Sequence, residues 1–159
     1  MARSALVVFC CVLAIGSTPA GQGKPFRLIE ASIPEMQAAM ARTLADAWAK
    51  RSPNTVAKSP AETLVLASIV EKETGVAEER RRVASVFVNR LERGMRLQTD
   101  PTVIYGITQG EAPLGRGLRA SELASATPYN TYMIDGLPPT PIANPGAEAS
   151  EAQVAYRRD

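Results

Sequence analysis

An α+β fold, predominantly helical with a small sheet, is what this sequence predicts, and three observations predict it. Two serine-led capping patterns, Ser32-Ile33-Pro34-Glu35 and Ser59-Pro60-Ala61-Glu62, each open a stretch with apolar residues at helical spacing. A third stretch repeats Val83, Phe87 and Leu91 at four-residue intervals, with Val86 beside them, and meets Gly94 as a C-terminal stop. Residues 129–134 are the best strand candidate, with aromatic rings alternating with an amide and a hydroxyl.

Taken in order, residues 1–20 read as a signal peptide or short membrane anchor. Arg3 supplies a positive start, residues 5–15 form an eleven-residue apolar run, and Gly16-Ser17-Thr18-Pro19-Ala20 offers small residues for cleavage. That run is short for a span of roughly 20 residues. Residues 21–58 read as a linker and leading helix, with Met36, Met40, Leu44, Ala47 and Trp48 as its buried stripe and Ser52-Pro53-Asn54 as its stop. Residues 59–159 form the main domain. Its first helix starts with Pro60 at the first helical position and closes at Gly75. A helix over residues 77–93 follows. A short one starts at Asp100-Pro101 and is stopped by Gly106. Residues 107–120 carry three glycines and read as a mobile loop. Four prolines within 137–146 predict an ordered turn segment, and residues 147–156 a last helix.

Composition excludes several chemistries. A net charge of +2 argues against a nucleic-acid footprint. The chain has no histidine, and its two cysteines, Cys10 and Cys11, fall in the N-terminal segment. Once that segment is removed, no disulfide, thiol nucleophile, Ser-His-Asp triad or histidine metal site can form. Carboxylates, hydroxyls, amides, Lys and Arg must carry any reaction, and no metal or cofactor is expected.

Glu73 stands out among them. At 100° per residue it falls on the face defined by Leu66, Ile69 and Val70, whereas Glu71 and Lys72 point away and read as solvated surface. Apolar surroundings disfavour an ionised carboxylate, and a proton held near neutral pH suits a general acid. A dense polar set follows in Leu97-Gln98-Thr99-Asp100-Pro101-Thr102. There Asp100 reads first as a helix N-cap, at a helix start that can also hold a polar ligand. Pro128-Tyr129-Asn130-Thr131-Tyr132 joins rings that can stack on sugars to an amide that can bond them.

Cleaving a glycosidic bond usually takes two carboxylates, about 5 Å or about 6.5–9.5 Å apart. Asp100 is the obvious second one, and with it Glu73 would make a muramidase-type hydrolase. Glu73 alone would suffice if the substrate supplied its own nucleophile, as the C6 hydroxyl of a muramic acid ring can. A non-catalytic glycan-binding protein is the third reading.

Several segments together resemble one family. They are Ala67-Ser68-Ile69-Val70-Glu71-Lys72-Glu73-Thr74, Val83-Ala84-Ser85-Val86-Phe87-Val88-Asn89-Arg90-Leu91, the run from Gly94-Met95-Arg96 to Tyr105-Gly106, Pro128-Tyr129-Asn130-Thr131-Tyr132, and Gly136-Leu137-Pro138-Pro139 with Pro141-Ile142-Ala143-Asn144-Pro145-Gly146. In unbroken order they are similar to the YceG-like, MltG-type endolytic murein transglycosylases. The resemblance implies a cell-envelope enzyme, periplasmic or anchored in the inner membrane, that cuts within peptidoglycan strands without water. Such an enzyme leaves a 1,6-anhydromuramic end. The resemblance also implies Glu73 as the catalytic acid, with Asn89, Gln98, Thr99, Asp100, Tyr129 and Asn130 lining the glycan cleft. The implied partners are glycan strands and cell-wall synthases, with membrane contact only through the N-terminal segment. Family members carry a membrane helix and a LysM-like domain ahead of this part, for which residues 21–58 are too few, and further strands after the Asn-Pro-Gly turn. The small sheet is therefore expected to be incomplete.

Overall fold

The structure is a computed structural model, and it describes residues 33–154. The predicted signal or anchor, the Ser32 cap and the end of the last helix beyond Val154 lie outside the described residues.

Local signals place most helices well. Helix α1 spans Ile33–Ala49. Helix α2 spans Pro60–Glu73, and the Ser59 hydroxyl accepts from the Glu62 N–H at 3.2 Å, satisfying one orphan donor of its first turn. The reciprocal bond is shifted by one residue: Glu62 Oε2 accepts from the N–H of Lys58, not of Ser59. A 3₁₀ turn at Ala77–Glu79 leads into α3, Arg80–Glu92. Gly94 follows with φ +65°, the left-handed value that favours glycine at a helix end. Helix α4 covers Asp100–Thr108, α5 Ala120–Leu123 and α6 Ala147–Val154. Gly106 does not stop α4. The helix runs through it and ends at Gln109, whose φ is +52°.

The expected sheet is corrected: no strand occurs among the described residues. Residues 129–134 fold instead as consecutive turns, with the N–H groups of Met133 and Ile134 both donating to Asn130 O at 2.9 Å. The cause is the side chain of Asn130. Its Nδ2 donates to the carbonyls of Glu122, Leu123 and Ser125, and its Oδ1 accepts from Tyr132 N at 3.0 Å. An amide that captures nearby backbone in this way competes with a strand ladder. Among the described residues the fold is helical, without the β component.

Helix α2 is the centre of the bundle and packs against α1, α3, α4 and α6. Six successive residues, Val65, Leu66, Ala67, Ser68, Ile69 and Val70, are buried. Leu66, Ile69 and Val70 join Phe87 and Val88 of α3, Leu97, Ile142, and Ala149 and Ala152 of α6 in one core. Each of the large side chains contributes about 1.5–3 kcal/mol by leaving water. Ser68 is buried among them, donating to Val65 O and accepting from Ile142 N at 3.0 Å. That bond ties the proline-rich segment 137–146 across α2.

The predicted stripes are narrower than expected. Only Ala47 of the α1 stripe is buried, and Met36 is 47% exposed. On α3, Val86 is 52% exposed. An apolar groove of about 400 Å³ runs along α1, lined by Ile33, Met36, Met40 and Leu44 together with Leu64.

Candidate active site

Glu73 is the last residue of α2 and is exposed. The greasy enclosure expected for it is absent. The helical wheel assumes one apolar face, but α2 is covered on all sides over residues 65–70, so the wheel marks no face. Beyond Val70 the helix leaves the bundle, and Glu73 emerges with it.

Its carboxylate is nevertheless held. The Thr99 hydroxyl donates to Glu73 Oε1 at 3.1 Å. Thr99 is buried, and its N–H donates to Thr131 Oγ1 at 3.1 Å. The Thr131 and Thr102 hydroxyls lie 2.8 Å apart, and Thr102 Oγ1 donates to Thr99 O at 2.8 Å. Three buried threonines, from two distant parts of the chain, thus support one exposed acid.

Asp100 stands beside this cluster at the first position of α4. Thr99, with extended backbone, takes the N-cap position expected of Asp100. An acid in the first turn still complements the helix dipole. Asp100 is exposed, and its Oδ1 accepts from the Tyr132 hydroxyl at 2.7 Å. The Tyr132 phenol is pushed up to about 12, first by that hydrogen bond, then by desolvation and by the negative charges of Asp100 and Glu73, with Arg90 opposing. Both carboxylates therefore lie within electrostatic reach of one phenol.

Gln98 precedes Thr99 with φ +53°, a left-handed conformation uncommon for a side-chain-bearing residue. Two contacts hold it there. Its N–H donates to Thr131 O at 3.1 Å, and its Oε1 accepts from Arg90 Nη1 at 2.9 Å. The same guanidinium nitrogen reaches Arg96 O and Leu97 O. Arg90 thus pins the segment that presents Gln98, Thr99 and Asp100.

The remaining predicted residues sit differently. Asn89 is half-buried on α3. Asn130 is fully buried, with its amide committed to backbone, so it shapes the turn from inside. The Tyr129 ring packs edge-on to Tyr105 at 5.0 Å, and its hydroxyl lies 2.6 Å from Thr140 Oγ1. Gly106 faces that ring: a Cβ added there would meet Tyr129 Cβ at 3.0 Å. Glu71 is not the solvated residue expected, since its Oε2 accepts from Gly146 N at 3.1 Å and its Oε1 lies 3.7 Å from Arg80 Nη2. Lys72 is exposed as expected. Among the described residues no group of three or more His, Cys, Asp or Glu side chains converges as metal ligands do.

Sequence reasoning named Arg90, Thr102, Thr131 and Tyr132 only within their segments and gave none of them a place of its own in the site. For Arg90 a signal existed: a cation flanking the Val83 side of an apolar stripe needs acceptors. The threonines gave none, because their bonds join residues about thirty positions apart.

Relatives match this chain over part of its length. An endolytic murein transglycosylase of Bacillus subtilis (strain 168) is 43% identical over 89 residues, covering 56% of this chain and 24% of that protein. One of Streptococcus pneumoniae (serotype 2, strain D39) is 36% identical over 132 residues, covering 79% of this chain and 23% of that protein. The chain spans about a quarter of the length of these relatives. A crystal structure of a yceG-like protein from Listeria monocytogenes superposes with a TM-score of 0.59 at 35% identity, covering 77% of this chain and 36% of that one. Residues 25–159, which include the whole Glu73–Thr99–Asp100–Tyr132 cluster, match the YceG-like family. With that match over most of its length, the chain belongs to the YceG-like family.

Proposed function

We propose that this chain carries the catalytic part of an endolytic peptidoglycan lytic transglycosylase of the cell envelope. It would cleave the β-1,4 bond from N-acetylmuramic acid to N-acetylglucosamine. The observation that carries the reading is the Glu73 carboxylate, open to a long polymer yet fixed by the Thr99 hydroxyl, beside the Tyr132–Asp100 pair. Its relatives' names point the same way.

Glu73 delivers a proton to the glycosidic oxygen as its bond to C1 of the muramic ring breaks. The resulting carboxylate takes the C6 hydroxyl proton as that oxygen bonds to C1. One bond is exchanged for another, the proton returns to Glu73, and no water is consumed. A glycan laid over this face would exclude water from the carboxyl, which is open to solvent in the free protein. The free oxygen of Asp100 faces developing positive charge at C1 and orients the sugar. Glu73, Gln98, Thr99, Asp100 and Tyr129 are the residues proposed to meet or support the glycan. Asn89 supports it from α3, and Asn130 through the turn it organises.

The test is digestion of purified sacculi followed by mass spectrometry. The expected products carry anhydromuramic ends, lighter by one water than reducing ends. Glu73→Gln should abolish their release while glycan pull-down persists. Continued release by that variant would defeat the assignment. The exposure of Asp100 beside Glu73 favours one competing reading, a hydrolase in which Asp100 activates water, and reducing ends would establish it.

A further inference from the structure

The two carboxylates of the site share one support. Asn130, Thr131 and Tyr132 are consecutive, and each does a different task. Asn130 is buried, and its amide grips three carbonyls and the Tyr132 N–H. Thr131 reaches the Thr99 N–H, and Thr99 reaches Glu73. Tyr132 reaches Asp100. The Tyr132 carbonyl is held in turn by Arg96 Nη1 at 3.1 Å, and Arg96 Nε by Asp135 at 2.9 Å.

We propose that Tyr132 is a positioning residue, whose hydroxyl fixes the Asp100 carboxylate relative to Glu73, so that the turn of residues 130–132 sets both acids of the site at once. This rests on reading Glu73 as the acid and base of the cleft.

The chemistry calls for such a device. An exposed Asp side chain rotates freely, and ordering it costs conformational entropy at each encounter with substrate. A phenol has one proton to donate. Donated at 2.7 Å to Asp100 Oδ1, it forms a short charge-assisted bond and leaves the other carboxylate oxygen for a glycan hydroxyl or developing charge. A misplacement of about 1 Å can cost about 100-fold in rate, so a shared anchor for the two acids has catalytic weight.

Three variants of the full chain test this: Tyr132→Phe, Asp100→Ala and the double variant. With release of anhydromuramic ends from purified glycan strands as the assay, Tyr132→Phe should lower kcat about 10-fold or more with KM within about 2-fold. In the Asp100→Ala background the same substitution should add no further loss. If the two losses multiply, Tyr132 does not act through Asp100 and the proposal falls.

A second measurement needs no activity. Ultraviolet titration of the wild type should show one tyrosine ionising near 12, and Asp100→Ala should return it toward the ordinary value of 10.0. An unchanged titration would overturn the pairing. If the wild-type chain releases no anhydro ends, the reading of Glu73 fails on its own, and the titration still decides whether Tyr132 holds Asp100.

Discussion

The Thr99 hydroxyl donates to Glu73 Oε1 at 3.1 Å, across a sequence separation of 26 residues. It joins the end of α2 to the start of α4, and it fixes an acid that burial does not enclose. Replacing Thr99 by Val keeps the shape and the backbone N–H but removes the donor. Turnover of glycan strands should fall about 10–100-fold with little change in KM. Thr99→Ser should restore most of it. An unaltered rate in Thr99→Val would mean that Glu73 needs no positioning from this side.

Asn130 is the structural hinge of the same region. Replacing it by Ala removes four hydrogen bonds at a fully buried position. The expected cost is about 2–4 kcal/mol, since an unmade buried bond costs about 1–3 kcal/mol and some of the freed carbonyls can find water. Urea unfolding should show it as a lower midpoint at unchanged slope.

Gly106 and Tyr129 give a steric prediction. With Tyr129 Cβ 3.0 Å from an ideal Cβ at position 106, Gly106→Ala must shift Tyr129 by a few tenths of an ångström against Tyr105. Overpacking of this size costs about 1–3 kcal/mol. Near-ultraviolet circular dichroism should register the altered tyrosine pair, and thermal melting the lost stability.

Acid stability should depend on Glu122. Hydrogen bonds from the Arg116 side chain first, and then from the Arg119 N–H, hold its carboxyl down at about 2, against an ordinary value of 4.5. A carboxylate depressed in the fold binds fewer protons folded than unfolded. Its contribution is therefore present above pH 4.5 and lost as pH falls from there toward 2. Stability measured across that window should decline less steeply in Glu122→Gln than in the wild type. Equal slopes would show that the Arg116 pair contributes nothing in solution.

The same pair bears on how much could be seen in advance. Residues 107–120 look like a free loop by their glycines, yet Arg116 bonds Glu122 at the start of α5 and organises its end. A partner six residues further along the chain overrode composition there. The clearest case is residues 129–134, where alternation suggested a strand. Alternation reports which side chains could face a core, whereas a strand needs a neighbouring strand to bond. The Asn130 amide supplied the backbone's partners instead.

The sequence by itself determined where α2 begins, where α3 ends and what chemistry is open to the chain. Ser59 with Pro60 starts α2, Gly94 follows α3, and the absence of histidine leaves carboxylates as acids, because caps and composition act within a few residues. It also singled out Glu73, through a wheel whose premise of one apolar face does not hold. Only the tertiary structure decided that α2 is buried all round, that Glu73 leaves the bundle exposed, and that Thr99, Thr131 and Tyr132 hold the two acids. Those relations depend on which distant residues meet, and a hydrogen bond between residues thirty positions apart leaves no periodic trace along the chain.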